Sequence, residues 1–178
     1  LDLAARGCLS DGTMSMVSTK LFGTDQRVTV VDPAHIGAVL NGALTVNTNE
    51  LADILAFRAT EFIIFPTNCN GNHWCSIMVR QRNETVQVCY YDPMRSNYTM
   101  HIRAVAHKLA GLIQAGRRGV KIDTLEYDTD VGTQLNNYNC GIYILLGFEH
   151  FIGAPALGEL DKKKLQCLRC RYLNMCYQ

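Results

Sequence analysis

The stretch QLNNYNCGIYILL, residues 134–146, is polar up to Cys140 and apolar after it. A thiol that only filled core space would need no polar run before it, and a helix interior does not favour the glycine that follows. A thiol becomes strongly nucleophilic when it ionises. A helix start favours the thiolate, through backbone N–H groups without intrahelical partners and through the helix dipole. The apolar run predicts a buried helix over 140–153, which places Cys140 at that end. Gly141 would leave room for another backbone, such as that of a substrate, to come close. The Cys140 N–H would then face an oxyanion formed by attack, and the Gln134 side-chain amide is available as a second donor.

Such a nucleophile needs a base. Residues 74–80, WCSIMVR, and 85–91, TVQVCYY, read as two strands joined by the turn signal QRNE. With Arg82-Asn83 as the loop pair, Val79 faces Val86, Ile77 faces Val88 and Cys75 faces Tyr90, all on one mostly apolar sheet face. The next pair outward on that face is His73 with Asp92, their Cβ atoms about 5 Å apart. A carboxylate at that range accepts an imidazole N–H, sets the tautomer and favours the charged ring. The pair alone also fits the polar end of an ordinary hairpin. With Cys140 it makes a nucleophile, a base and an orienting acid.

These side chains must be held by a fold. Ser10-Asp11 and Gly23 bracket a capped helix, and a short extended piece leads to a helix from Pro33 ended by Gly42. Residues 61–67 form a buried strand and 119–125 another. Residues 100–115 place Ile102, Val105, Ala106, Leu109, Leu112 and Ile113 on one helical face. A basic amphipathic helix closes the sequence. These pieces mix strands with helices.

Composition narrows the function. The 178 residues suit a single domain. With 17 Lys and Arg against 16 Asp and Glu, no strong field draws nucleic acid or a membrane surface. No apolar run approaches the roughly 18 residues of a membrane span. The first residues lack a hydrophobic signal core, and the sequence does not begin with Met, so it reads as a fragment, and any targeting segment upstream would be invisible in it. Several of the eight cysteines (8, 69, 75, 89, 140, 167, 170 and 176) sit in apolar runs. That suits reduced, buried thiols in a reducing compartment, cytoplasm or nucleus, better than a secreted four-disulfide scaffold. Cys167 and Cys170 have a zinc-like spacing but no second pair, and on a helix they share a face fit for a core contact. His35, His101, His107 and His150 have no cysteine partner at such spacing. Lys162, Lys163 and Lys164 read as a solvated helix face. No metal and no cofactor are expected.

NHWCSIMV, YYDP and QLNNYNCGIYIL resemble the His-Trp, Asp and Gln-x5-Cys-Gly elements of the ubiquitin-like-protein proteases. These are the SUMO- and NEDD8-processing cysteine peptidases related to adenovirus protease. The chain order His, Asp, Gln, Cys matches that family and differs from the Cys, His, Asn order of papain-type enzymes. The likeness runs over about residues 8–153 by motif order. It implies an α+β fold, a papain-like core with a small, mostly antiparallel mixed sheet flanked by helices. It implies His73 as base, Asp92 as its orienter, Cys140 as nucleophile and Gln134 as oxyanion donor. It implies Trp74 as a roof over a narrow tunnel for a Gly-Gly tail, with Asp11, Asn139 and Gly141 also on the substrate side. The implied activity is a monomeric protease or isopeptidase cleaving after the Gly-Gly of a ubiquitin-like modifier or its conjugates, SUMO first, NEDD8 or ubiquitin next. An acetyltransferase using the same triad, or a non-catalytic modifier-binding module, would share these residues. Two departures stand out. Asn139 replaces the Asp common before the nucleophile, and CLSD at 8–11 has Cys8 where the family has Trp.

Overall fold

A computed structural model describes residues 2–35, 48–56 and 60–178, and its centre is a five-stranded sheet. The strands are β1 (Val28–Val30), β2 (Phe62–Cys69), β3 (His73–Gln81), β4 (Thr85–Tyr91) and β5 (Lys121–Glu126), in that spatial order. β2, β3 and β4 pair antiparallel, whereas β1 with β2 and β4 with β5 pair parallel. The helices are α1 (Asp11–Phe22), α2 (Thr48–Ala56), α3 (Tyr98–Gly116), α4 (Cys140–Ile152) and α5 (Lys162–Cys176).

β2 reads as a continuous apolar run because helices cover both faces of the sheet. Phe62, Ile64, Trp74, Met78, Cys89 and Tyr91 point to the face packed by α1, α4 and α5. Ile63, Phe65, Cys75, Ile77, Val79, Val86, Val88 and Tyr90 point to the face packed by α2 and α3. This is the expected α+β core flanked by helices, with two parallel and two antiparallel pairings. Ten of the thirteen α4 residues are buried, as its nearly unbroken apolar sequence requires. Gly147 lets α4 lie close to β4, since a Cβ there would stand 3.3 Å from the Tyr91 ring.

The hairpin register differs from the one read off the turn. Arg82 and Thr85 exchange backbone hydrogen bonds of 2.9 and 3.3 Å, so Asn83-Glu84 is the loop pair. Val79 therefore faces Val88, and Ile77 faces Tyr90. The slip is two residues. Side chains alternate with period two, so the same residues keep the same face. Cys75 now falls across from Asp92, and His73 lies diagonal to it, still within reach of a long side chain. At the other end of β3, Asn70 and Gly71 take left-handed backbone, φ 56° and 73°, in the turn that delivers His73.

Elsewhere, Ser10 caps α1 by accepting from the Thr13 N–H, as expected. Pro33–His35 forms a 3-10 turn, and the rest of the helix expected up to Gly42 lies outside the described residues. α2, with Leu51 and Leu55 buried one turn apart, was not legible as an element in so short a segment. Cys167 and Cys170 are exposed, which corrects the expected core contact. The buried face of α5 is Leu165, Leu168, Arg169 and Tyr172. No described helix is long and apolar enough to cross a membrane.

Candidate active site

The ends of β3 and β4 bring His73 and Asp92 together. His73 Nε2 lies 2.8 Å from Asp92 Oδ1, with both side chains almost wholly buried. The same Oδ1 accepts from the Met94 N–H at 3.0 Å. Oδ2 accepts from the Ser96 N–H, the Ser96 hydroxyl and the Thr99 hydroxyl, each at 2.8 Å. Burial opposes charging Asp92, but the hydrogen bonds from His73, Ser96 and Thr99 outweigh it and hold the carboxyl well below its usual range. A carboxylate so occupied can only accept, so Nε2 donates and Nδ1 is left as the basic nitrogen. Tyr98 stacks on the imidazole at 5.5 Å and 25°, which fixes the ring plane.

Cys140 opens α4, as its sequence predicts, and is fully buried. Burial pushes its thiol up to about 11, against the opposing pull of the Trp74 and Gly141 N–H groups on the sulfur. Trp74 directly follows His73, so the backbone that holds the sulfur continues into the residue bonded to Asp92. The Asn139 side chain does not cap α4. Its Oδ1 accepts instead from Arg169 Nε at 2.8 Å. No side chain caps this start: the Ile142 and Tyr143 N–H groups donate to the Asn139 carbonyl at 2.9 and 3.1 Å, and the Gly141 N–H turns to the Cys140 sulfur.

Arg169 lies at the centre of a clamp. Besides Asn139 it donates to the Asp2, Ala5, Gly7 and Tyr138 carbonyls, at 2.8 to 3.0 Å. Burial draws its pKa down. One α5 side chain thereby ties the chain's first residues to the loop that ends at the nucleophile.

The other expected site residues divide. Gln134 is buried, its N–H bonded to the Pro93 carbonyl at 2.8 Å, two steps from Asp92 in bonding terms. Its Nε2 donates to the Asn136 carbonyl, and its Oε1 is buried without a partner. Gly141 departs from expectation: a Cβ there would meet Leu9 Cδ1 at 2.8 Å, so Leu9 rather than a substrate occupies the space it leaves. Asn139 Oδ1 faces Arg169, and the residue borders a hollow on the α5 side. Trp74 is 1% exposed and donates from Nε1 to the Leu9 carbonyl at 2.8 Å, which ties the Leu9 segment to its buried indole. Asp11 is exposed at the start of α1, accepting from Asn68 Nδ2 at 2.7 Å.

His73, Cys75 and Asp92 present possible ligand atoms within 4.8 Å of one another. Both Asp92 oxygens are already taken by donors, and burial drives the Cys75 thiol well up, so this donor set suits proton handling rather than a cation. A hollow of about 410 Å³ lies on the α5 side of the 134–139 loop, lined by Leu135, Tyr138, Leu160, Leu165 and Arg169 and not by the triad.

Residues 25–178 match the model of the Ulp1 protease family, C-terminal catalytic domain. The chain belongs to the Ulp1 protease family. It is accordingly a cysteine-peptidase domain, and the likeness reaches through α5, past the end read from the sequence motifs. No curated protein matches it. Among solved structures, the yeast Ulp1 protease domain in complex with Smt3, the yeast ortholog of SUMO, is 18% identical. It superposes with a TM-score of 0.71 over 98% of this chain and 79% of its own. The ASFV pS273R protease is 10% identical, TM-score 0.69, over 95% of this chain and 69% of its own. Xanthomonas XopD is 16% identical, TM-score 0.61, over 96% and 99%. At these identities the likeness is one of fold.

Within this Ulp1-family fold, sequence reasoning missed Arg169, Ser96, Thr99 and Tyr98. Ser96 and Thr99 follow Asp92 closely, and a hydroxyl-rich stretch after a candidate acid was a usable signal. Arg169 offered none, because its partners lie more than 160 residues away along the chain, at Asp2, Ala5 and Gly7.

Proposed function

We propose that this domain is a cysteine protease or isopeptidase that cleaves after the C-terminal Gly-Gly of a ubiquitin-like modifier, with SUMO the first choice and NEDD8 or ubiquitin next. The observation that carries the reading is the buried His73–Asp92 bond of 2.8 Å, joined by a buried cysteine at a helix start in a chain of the Ulp1 family. His73 Nδ1 takes the Cys140 proton, and Asp92 steadies the imidazolium through Nε2. The thiolate attacks the glycine carbonyl carbon. The Cys140 N–H and the Gln134 amide hold the oxyanion. The tetrahedral intermediate collapses and expels an amine, which takes its proton from His73. A water then gives a proton to His73 and attacks the thioester, releasing the carboxylate and restoring the thiol.

The buried sulfur supports a glycine tail. Trp74 and Cys8 lie against it and Leu9 fills the space above the neighbouring Gly141, so a backbone without Cβ atoms reaches it most readily. That approach requires the Leu9 segment to move aside. The Smt3 complex of yeast Ulp1 supports SUMO as the first modifier to test.

The test is labelling with SUMO, NEDD8 and ubiquitin, each bearing a cysteine-reactive group at its C-terminus, on wild type and Cys140→Ala. The expected result is a covalent adduct with SUMO that is absent from the variant. An adduct that survives Cys140→Ala would overturn the nucleophile assignment. No adduct with any modifier would overturn the substrate class.

A further inference from the structure

We propose that Cys8 and Cys140 form a site of reversible oxidation, in which a hydroperoxide oxidises Cys140 and Cys8 resolves it as a disulfide. The proposal rests on the reading of Cys140 as the reactive thiol. Cys8 is half-buried in the segment that covers the nucleophile. Its Sγ donates towards the Asn137 carbonyl at 3.3 Å, three residues before Cys140, and lies 3.7 Å from the Asn72 carbonyl, one residue before His73. The next residue, Leu9, fills the space above Gly141 and accepts from the Trp74 indole. Cys8 is thus held at the junction of the His73 strand and the Cys140 helix, and its thiol is near enough to Cys140 to help push that thiol's pKa up.

A serine would serve the hydrogen bonds to Asn137 and Asn72 at least as well, since a thiol is a weak donor. What a thiol adds is redox chemistry with a second thiol. Cys75 acts on Cys140 only through charge and lies wholly buried on the opposite sheet face, among the α2 and α3 contacts. Cys8 is therefore the partner the geometry selects.

The steps balance. The Cys140 thiolate attacks one peroxide oxygen, the O–O bond breaks, and an alkoxide or hydroxide leaves and takes a proton. Cys140 is now a sulfenic acid, oxidised by two electrons while the peroxide is reduced. The Cys8 thiol loses its proton and its sulfur attacks the Cys140 sulfur. The S–S bond forms as the S–O bond breaks, and the oxygen leaves as water. A dithiol reverses the sequence. Held this way, Cys140 is spared the sulfinic and sulfonic states that a dithiol cannot reverse.

The purified chain would be treated with hydrogen peroxide, its free thiols alkylated, and non-reduced peptides read by mass spectrometry. In wild type, a Cys8–Cys140 linked peptide is expected, and dithiothreitol should abolish it and return Cys140 to alkylation. In Cys8→Ser, dimedone should trap a Cys140 sulfenic acid. Longer exposure should then carry Cys140 to sulfinic and sulfonic acid, with no recovery by dithiothreitol. Each protein's loss of modifier labelling and its recovery are compared with its own untreated sample. Cys140 over-oxidised in wild type while Cys8 stays alkylatable would overturn the proposal, as would a Cys140–Cys75 link. Those outcomes leave the nucleophile assignment standing. A Cys140 inert to both peroxide and iodoacetamide would bring down both readings.

Discussion

At the scale of single residues, the site is a contest between burial and hydrogen bonding. For Asp92 the hydrogen bonds win, and its carboxyl is held well below the usual range. Its folded pKa is depressed, so its charge stabilises the protein above the unfolded value of about 4 and that contribution is lost as pH falls below it. Asp92→Asn should therefore lower the melting temperature fully near pH 7, and the gap to wild type should narrow as pH drops below about 4. A gap independent of pH would mean that the carboxylate is not charged in the folded state. For Cys140 burial wins, and the thiol stands at about 11. Its nucleophilicity near neutrality must then come from His73. In His73→Ala, the iodoacetamide rate at Cys140 should climb with pH towards that value, whereas wild type should react at lower pH. Coincident profiles would show that the imidazole does not share the thiol proton.

At the scale of elements, the decisive feature is what one helix does to another. α5 supplies Arg169, which draws the Asn139 side chain off the start of α4 and leaves that start uncapped. An asparagine at this position would otherwise be a good cap. Arg169→Met would strip a donor from four carbonyls and one amide oxygen. A loss of about 3 kcal/mol or more is expected by denaturant unfolding. Asn139→Asp tests the same clamp from the other side. A carboxylate would offset the burial that depresses Arg169, and should raise the melting temperature by about 2–4 °C at pH 7 if the pair gains ~1 kcal/mol. The gain should fade in acid as the new carboxyl protonates. A lower melting temperature at pH 7 would mean that the pocket is shaped for a neutral amide.

At the scale of the whole molecule, two apolar layers sandwich the sheet, and the first described residues pack over the end of it where Trp74 and Gly141 lie. Leu3 and Leu9 are 3% and 2% exposed, and Leu9 meets both Trp74 and Gly141. Removing residues 1–9 should lower the melting temperature and speed alkylation of Cys140 by a neutral reagent, although no triad member is lost. Unchanged reactivity would show that this segment does not cover the sulfur. Much of this plan was legible in the residues themselves. Cys140 at a polar-to-apolar boundary placed a helix start, and period-two alternation put His73 and Asp92 on one face even though the assumed turn was one residue off. Those signals are local or periodic, so a linear reading reaches them. Local sequence thus determined the helix start, the strand faces and the types of the reacting groups. Tertiary structure alone decided that Leu9 sits on Gly141, that Arg169 rather than α4 takes the Asn139 amide, and that Cys8 meets Cys140. Each of these joins residues more than 25 positions apart, and no periodicity along the chain encodes such a contact until the packed layers bring the partners together.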